Sequence, residues 1–206
     1  APVELEFAVN LSVPRGAPRE FGFLQMRPLA LSRETEELEL GEVDPGSLIC
    51  RSAHVLGNGK TLVHDLVVVD FHRLDRAQSQ ESAQALARFN AELVASGVPY
   101  VLVGVGRWGS RDPWLGIPVA WDQISGARVI VEAGFKDFKV TPSQGSHFFQ
   151  NLTSFNVCYF TVNPDVGDCF VDWDYLAAQP AVRESAFVRH LRFPRPVMVK
   201  MNGKAN

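Results

Sequence analysis

One stretch limits the folds open to this chain more than any other. Leu66 to Phe71 is a Val-rich apolar run, Asp75 to Ser96 carries apolar residues at helical spacing, and Tyr100 to Val105 is apolar again. Short uninterrupted apolar runs suit strands buried on both faces, as in parallel sheets. Between them, Ala83, Leu86, Ala87, Phe89, Asn90, Leu93 and Val94 line one side of a helix, and Gly97 is a natural stop. Strand, helix and strand in this order read as a right-handed crossover in a parallel or mixed sheet.

The flanking sequence adds strands. Val3 to Val9 alternates apolar and acidic residues, the period of a half-buried strand, and a Pro/Gly/Arg loop at Pro14 to Arg19 leads to an apolar run from Phe21 to Met26. These make a hairpin that Pro28 ends, with Ser32 to Glu39 as an acidic connector. Further strands are expected at Leu48 to Arg51, Ala127 to Glu132 and Asn156 to Val162, with a turn at Gly57-Asn58-Gly59 and a helix within Ser143 to Ser154. Arg192 to Met201 alternates and contains prolines, which suits an edge strand. The fold class is therefore α/β, a mixed sheet with a crossover helix, preceded by a β-hairpin. Residues 1–35 hold the hairpin, residues 45–206 the α/β module, and the boundary falls near residues 30–45.

A formal net charge of -3 gives no electrostatic reason to expect nucleic acid or an anionic membrane as partner. No apolar run approaches the roughly 20 residues of a membrane span. Three cysteines, Cys50, Cys158 and Cys169, lie in or near apolar runs without zinc-site spacing. They read as reduced buried thiols, which points to the cytoplasm. The chain opens Ala-Pro-Val-Glu directly into a strand without an initiator Met, as a processed product or, the favoured reading, the tail of something longer would.

The first constellation with chemical content is Glu4-Leu5-Glu6-Phe7-Ala8, followed by Leu24-Gln25-Met26-Arg27-Pro28. Alternate residues of a strand share a face, so Glu4 groups with Glu6 and Gln25 with Arg27. Carboxylates hold Mg²⁺ and Arg presents fixed donors to phosphate; the competing reading is an acidic strand beside a structural Arg. The pair of segments resembles the end of the ATP-grasp domain of phosphoenolpyruvate synthases and pyruvate phosphate dikinases. The resemblance implies that the hairpin completes an ATP-grasp domain, whose remainder is then a partner of this chain. It also implies that Glu6 and Gln25 lie at a site for ATP and Mg, with Glu6 on the metal and Arg27 on phosphate. The Gly-rich loop and basic residues that clamp the triphosphate in that family have no counterpart here.

Two further stretches follow. Gly104-Val105-Gly106-Arg107-Trp108-Gly109-Ser110 ends a strand, where open α/β sheets place ligands. Glycines there let backbone N–H groups approach an anion, with Arg107 and Ser110 completing a pocket; the alternative is a structural turn. Trp108 and Trp114 either stack on a ring or cap the core. Ser143-Gln144-Gly145-Ser146-His147-Phe148-Phe149 puts His147 at a helix head, where an imidazole serves as nucleophile or as ligand donor. It resembles, at a distance, the phosphohistidine segment of the same dikinases, without the second glycine, the small residues or the following Arg. Tyr100 to Val162 also looks like the C-terminal region of long phosphoenolpyruvate synthase-like bacterial proteins. The remaining histidines, His54, His64, His72 and His190, read as surface or satisfied polar groups, and Asp172-Trp173-Asp174 as a turn.

Two functions fit. In one, this is the C-terminal part of an ATP-dependent phosphotransferase, with Arg107 and His147 catalytic and a small anion such as pyruvate or phosphoenolpyruvate as substrate. In the other, residues 45–206 are a non-catalytic anion-binding or regulatory module attached to an ATP-grasp domain. Convergence of His147, Arg107 and Asp112 in one open cleft would favour the first.

Overall fold

A computed structural model describes residues 3–28, 38, 40–41, 43–69, 71–134, 139–140, 151–152 and 154–203. The chain divides into two units, Ala1–Ser32 and Arg33–Asn206.

The first unit is an antiparallel hairpin of β1 (Val3–Asn10) and β2 (Glu20–Pro28). Its register sets Glu4 opposite Arg27 and Glu6 opposite Gln25, then skips Leu24 so that Phe7 meets Phe23 and Val9 meets Phe21. The unpaired residue is a β-bulge. Alternation puts Glu6 and Gln25 on one face and Leu5, Met26, Phe7, Phe23, Val9 and Phe21 on the other. The rings of Phe7 and Phe21 stack with centroids 5.2 Å apart.

The second unit opens with β3 (Cys50–Arg51), β4 (His54–Leu56) and β5 (Asn58–Val69). Helix α1 (Ser79–Ala95) and β6 (Tyr100–Val105) follow, then the short β7 (Arg107–Trp108) and β8 (Gly116–Ile117). Next come β9 (Ala127–Ala133), β10 (Cys158–Val162) and β11 (Phe170–Val171). Helix α2 (Trp173–Ala178), β12 (Ala181–Ser185) and β13 (Val188–Asn202) close the unit. Seven strands form a mixed sheet in the order β12-β13-β5-β6-β9-β10-β4. β5, β6, β9 and β10 run parallel, while β13, β12 and β4 are antiparallel to their neighbours. The mixed sheet and the crossover helix are thus as the sequence implies.

The details differ where tertiary contacts intervene. The expected helix from Asp75 begins as a 3-10 turn at Arg76–Gln78, because the Asp75 carboxylate accepts the Ala77 N–H at 2.9 Å. It ends as expected at Gly97, whose φ of 65° lets Val98 N–H reach Leu93 O at 2.9 Å. Phe71 lies beyond β5 in a turn, and of Leu48 to Arg51 only Cys50 and Arg51 pair as strand. Asp172 caps α2 by accepting Tyr175 N–H at 2.8 Å, so the expected turn there is a helix start. The proline-containing stretch is at an edge, as expected: β12 pairs only with Val188–Leu191 of β13, and among the described residues β13 pairs with β5 alone from Arg192 onward. Its register jumps from Arg192 opposite Asp65 to Val197 opposite Val63, so Pro194 and Pro196 fall in the bulge, where no ladder N–H is needed.

Both faces of the sheet are buried. On one, α1 packs Leu86, Phe89 and Leu93 over Val67, Leu102 and Ile130. On the other, Leu66, Val103, Val131 and Phe160 meet Leu176 of α2 and Cys169. A charged group interrupts the first layer. Asp65, 1% exposed, accepts from His190 Nε2 at 2.6 Å and lies 3.1 Å from Arg192 Nε. His190 is therefore buried and paired through Nε2, but its Nδ1 is buried without a hydrogen-bond partner, so the expected satisfied polar position is only half met. Removing one member of a buried pair strands the other, which costs about 3–5 kcal/mol. Asp65→Ala is expected to lose stability on that scale in urea unfolding, and a loss below about 1 kcal/mol would mean water replaces the carboxylate.

Candidate functional site

Parallel strands end on the same side of a sheet, so the segments leaving β5, β6, β9 and β10 share one end. Chain geometry at that end follows from three glycines. Gly106 and Gly109 hold φ at 78° and 83°, and the chain doubles back after β6. A Cβ on Gly104 would sit 2.3 Å from Trp108 Cζ2, so only glycine leaves space for the indole. Trp108 is buried against the sheet and donates Nε1–H to Val131 O at 3.2 Å.

The expected backbone cradle for an anion is not formed here. Gly106 N–H donates to Ala133 O at 2.8 Å, Arg107 N–H to Leu115 O at 2.8 Å and Gly109 N–H to Ile117 O at 2.8 Å. Trp108 N–H donates to Glu132 Oε1 at 2.8 Å. The donors that a phosphate would need are consumed by the pairing of β7 with β8 and by an internal carboxylate. Ser110 is equally committed, its hydroxyl donating to Asp112 O at 3.1 Å and accepting Asp112 N–H at 3.2 Å. The Asp112 carboxylate in turn accepts Trp114 N–H at 2.9 Å. The two tryptophans divide the roles left open by sequence. Trp108 caps the core, while Trp114 is 70% exposed with the Arg76 guanidinium 5.6 Å from its ring centre.

Glu132 is the chemically distinctive group at this end. It is fully buried at the end of β9, where its Oε2 accepts the Tyr159 hydroxyl and its Oε1 the Trp108 N–H. Burial pushes its pKa up to about 7, opposed by the hydrogen bonds from Tyr159 and Trp108 and by the Arg107 charge. The same burial, with Glu132 beside it, raises the Tyr159 phenol. A carboxyl titrating near neutrality is suited to moving a proton, but this one touches no solvent. It acts on the 107–117 loop that it holds. Sequence reasoning passed over Glu132; its signal was one acid inside the apolar run Val129-Ile130-Val131-Glu132-Ala133.

The other candidates are dispersed. Glu6 and Gln25 are cross-strand partners in the hairpin, and Arg27 stands two positions along β2, in register with Glu4. Arg107 belongs to the second unit, half-buried beside Glu132. His147 lies outside the described residues, so the expected meeting of His147, Arg107 and Asp112 does too. Among the described residues, no group of three or more His, Cys, Asp or Glu side chains is placed to hold a metal ion. No described helix is long and apolar enough to cross a membrane. No protein-family model, curated protein or solved structure matches the chain.

The raised pKa has a signed consequence. Between its ordinary 4.5 and about 7, Glu132 binds more protons folded than unfolded. Its contribution to stability is therefore fully present below pH 4.5 and is lost as pH rises through about 7. Glu132→Gln keeps an acceptor for Trp108 without the charge. Urea unfolding at pH 8 is expected to find the variant more stable than wild type by about 1–3 kcal/mol, with the advantage vanishing near pH 5. An advantage independent of pH would show that Glu132 ionises in the fold without cost.

Proposed function

We propose that this chain is the C-terminal part of an ATP-dependent phosphotransferase resembling phosphoenolpyruvate synthase. In this reading its hairpin supplies Glu6, Gln25 and Arg27 to a Mg–ATP site shared with the remainder of an ATP-grasp domain. The observation that carries the reading is the hairpin register, which makes Glu6 and Gln25 direct partners and sets Arg27 in register with Glu4, two positions along. An oxygen-donor carboxylate, a neutral amide and a guanidinium within two residue pairs suit a metal-bridged polyphosphate. They fit as a share of such a site, since a complete one needs more ligands than these.

Mg²⁺ would bridge phosphate oxygens and neutralise charge during transfer. Glu6 would offer that ion a hard oxygen, Gln25 would orient it or the nucleotide through its amide, and Arg27 would donate to phosphate. Residues 45–206 then serve as the attached module. A small anion such as pyruvate or phosphoenolpyruvate is its proposed substrate, with Arg107 as the cationic contact and His147 as the phosphoryl carrier.

One observation favours the second reading of that module, as a non-catalytic binding or regulatory domain. The only group there with a near-neutral carboxyl among the described residues is sealed, and the loop N–H donors beside it are taken.

The test is labelling of the natural-length protein with ATP carrying label on the γ- or β-phosphate, followed by assay for acid-labile, base-stable protein label. Arg27→Ala and Glu6→Gln are each expected to weaken nucleotide binding by roughly tenfold to a hundredfold, the worth of a charged hydrogen bond. Unchanged ATP affinity in both variants would remove the hairpin from the site. Loss of label in His147→Ala would make the module a phosphohistidine carrier, and label that persists would leave it a binding domain.

A further inference from the structure

A cavity of about 190 Å³ lies at the carboxyl ends of β5, β9 and β10, on the sheet face opposite α1. Its floor is Ala133 and Val162, and its walls are Phe71, Phe170, Val171 and Trp173. Every side chain named there is apolar. The backbone adds little polarity, because Gly134 N–H at the rim already donates to Val162 O at 2.8 Å.

The aromatic wall is held in place from several directions. Phe71 and Trp173 stack with centroids 5.3 Å apart and planes 19° from parallel. The neighbouring His72 meets Phe71 edge-on at 5.5 Å, and its Nε2 lies 3.0 Å from the Asp174 carboxylate beside Trp173. Trp173 is also the first residue of α2, whose start the Asp172 cap fixes. Two segments a hundred residues apart in the chain are thus joined by an aromatic pair and an adjoining imidazole–carboxylate contact, and both contacts flank the cavity.

We propose that this cavity binds a small, uncharged, flat aromatic molecule of one or two fused rings, stacked on the Phe71–Trp173 wall. Three observations converge on that class. The volume exceeds the roughly 150 Å³ at which an apolar cavity in another protein stays dry and takes up benzene. Among the described residues the lining itself offers no charged side chain, and burying an unpaired charge is costly, so an uncharged ligand fits better than an ionised one. Its place at the ends of parallel strands is where open α/β sheets take ligands. The site is separate from the residues assigned to ATP and stands or falls without them.

Indole is the probe, titrated against the protein and followed by saturation-transfer NMR and by amide shifts, with benzoate as a charged ring of similar size. Saturable indole binding is expected, with benzoate weaker by about tenfold or more. Ala133→Leu fills the floor and is expected to weaken indole by at least about tenfold. Val171→Trp, at a half-buried wall position, gives the same readout should the leucine variant fail to fold. No saturable indole binding up to its solubility limit, or unchanged affinity in a folded filling variant, would overturn the proposal. Benzoate binding as tightly as indole would overturn the ligand class.

Discussion

Four parallel strands have to be buried on both faces, and most of the second unit follows from that requirement. β5, β6, β9 and β10 lie side by side in chain order, so each connection makes the same step. Right-handed crossovers then send every connection to one face. The core composition agrees: α1, Ile117 and Ile124 between β6 and β9, and Leu152 and Val157 before β10 all belong to one apolar layer. Among the described residues, the opposite face receives no crossover helix. It is covered by α2 and by Ile49, Cys50 and Val171 around the β3–β11 pair. That thinner cover leaves the apolar cavity beside Trp173.

The same architecture explains two acids in the interior. Asp65 and Glu132 both point to the α1 side of the sheet, among Val67 and Ile130. Their surroundings differ. Asp65 meets an imidazole and a guanidinium, so a negative charge there has compensation within about 3 Å. Glu132 meets an amide N–H and a phenol, donors without full charge, and burial keeps its carboxyl protonated to near neutrality. One acid is a paired element of the sheet. The other fastens a loop and makes that fastening sensitive to pH.

Local patterns were legible where a residue's role depends on its near neighbours. The alternation from Val3 to Val9, the helical stripe through Leu86 and Leu93, the Gly97 stop and the runs at Tyr100 and Ala127 all became the elements that their periods imply. A two-stranded hairpin has no second layer of its own, yet its register follows from alternation and one bulge, and it pairs Glu6 with Gln25. The Gly104–Ser110 loop takes the structural-turn reading over the anion cradle, a choice that glycine spacing leaves open because it says where backbone donors come close to something, and nothing about what that is. The acceptors are Ala133 O, Leu115 O, Ile117 O and Glu132, supplied by other strands and turns. The prolines near the C-terminus were legible for the opposite reason. Pro194 and Pro196 forbid ladder bonds at their own positions, and both the bulge and the free side of β13 beyond Leu191 meet that condition.

By itself, then, the amino-acid order determined the hairpin, the crossover helix with the strands on either side of it, and a mixed sheet, because backbone periodicity is a short-range property; the short β4, β7, β8, β11, β12 and α2 are too brief to show a period. It also settled the amphipathic faces of the hairpin. Tertiary structure alone decided the chemistry of the buried groups. His190 finds Asp65 across 125 residues, and Glu132 finds Trp108 and Tyr159 across 24 and 27. Whether a carboxylate is charged, or an N–H remains available to a ligand, depends on partners brought close by the fold and on the water excluded with them. Neither condition is written in the spacing of residues along the chain.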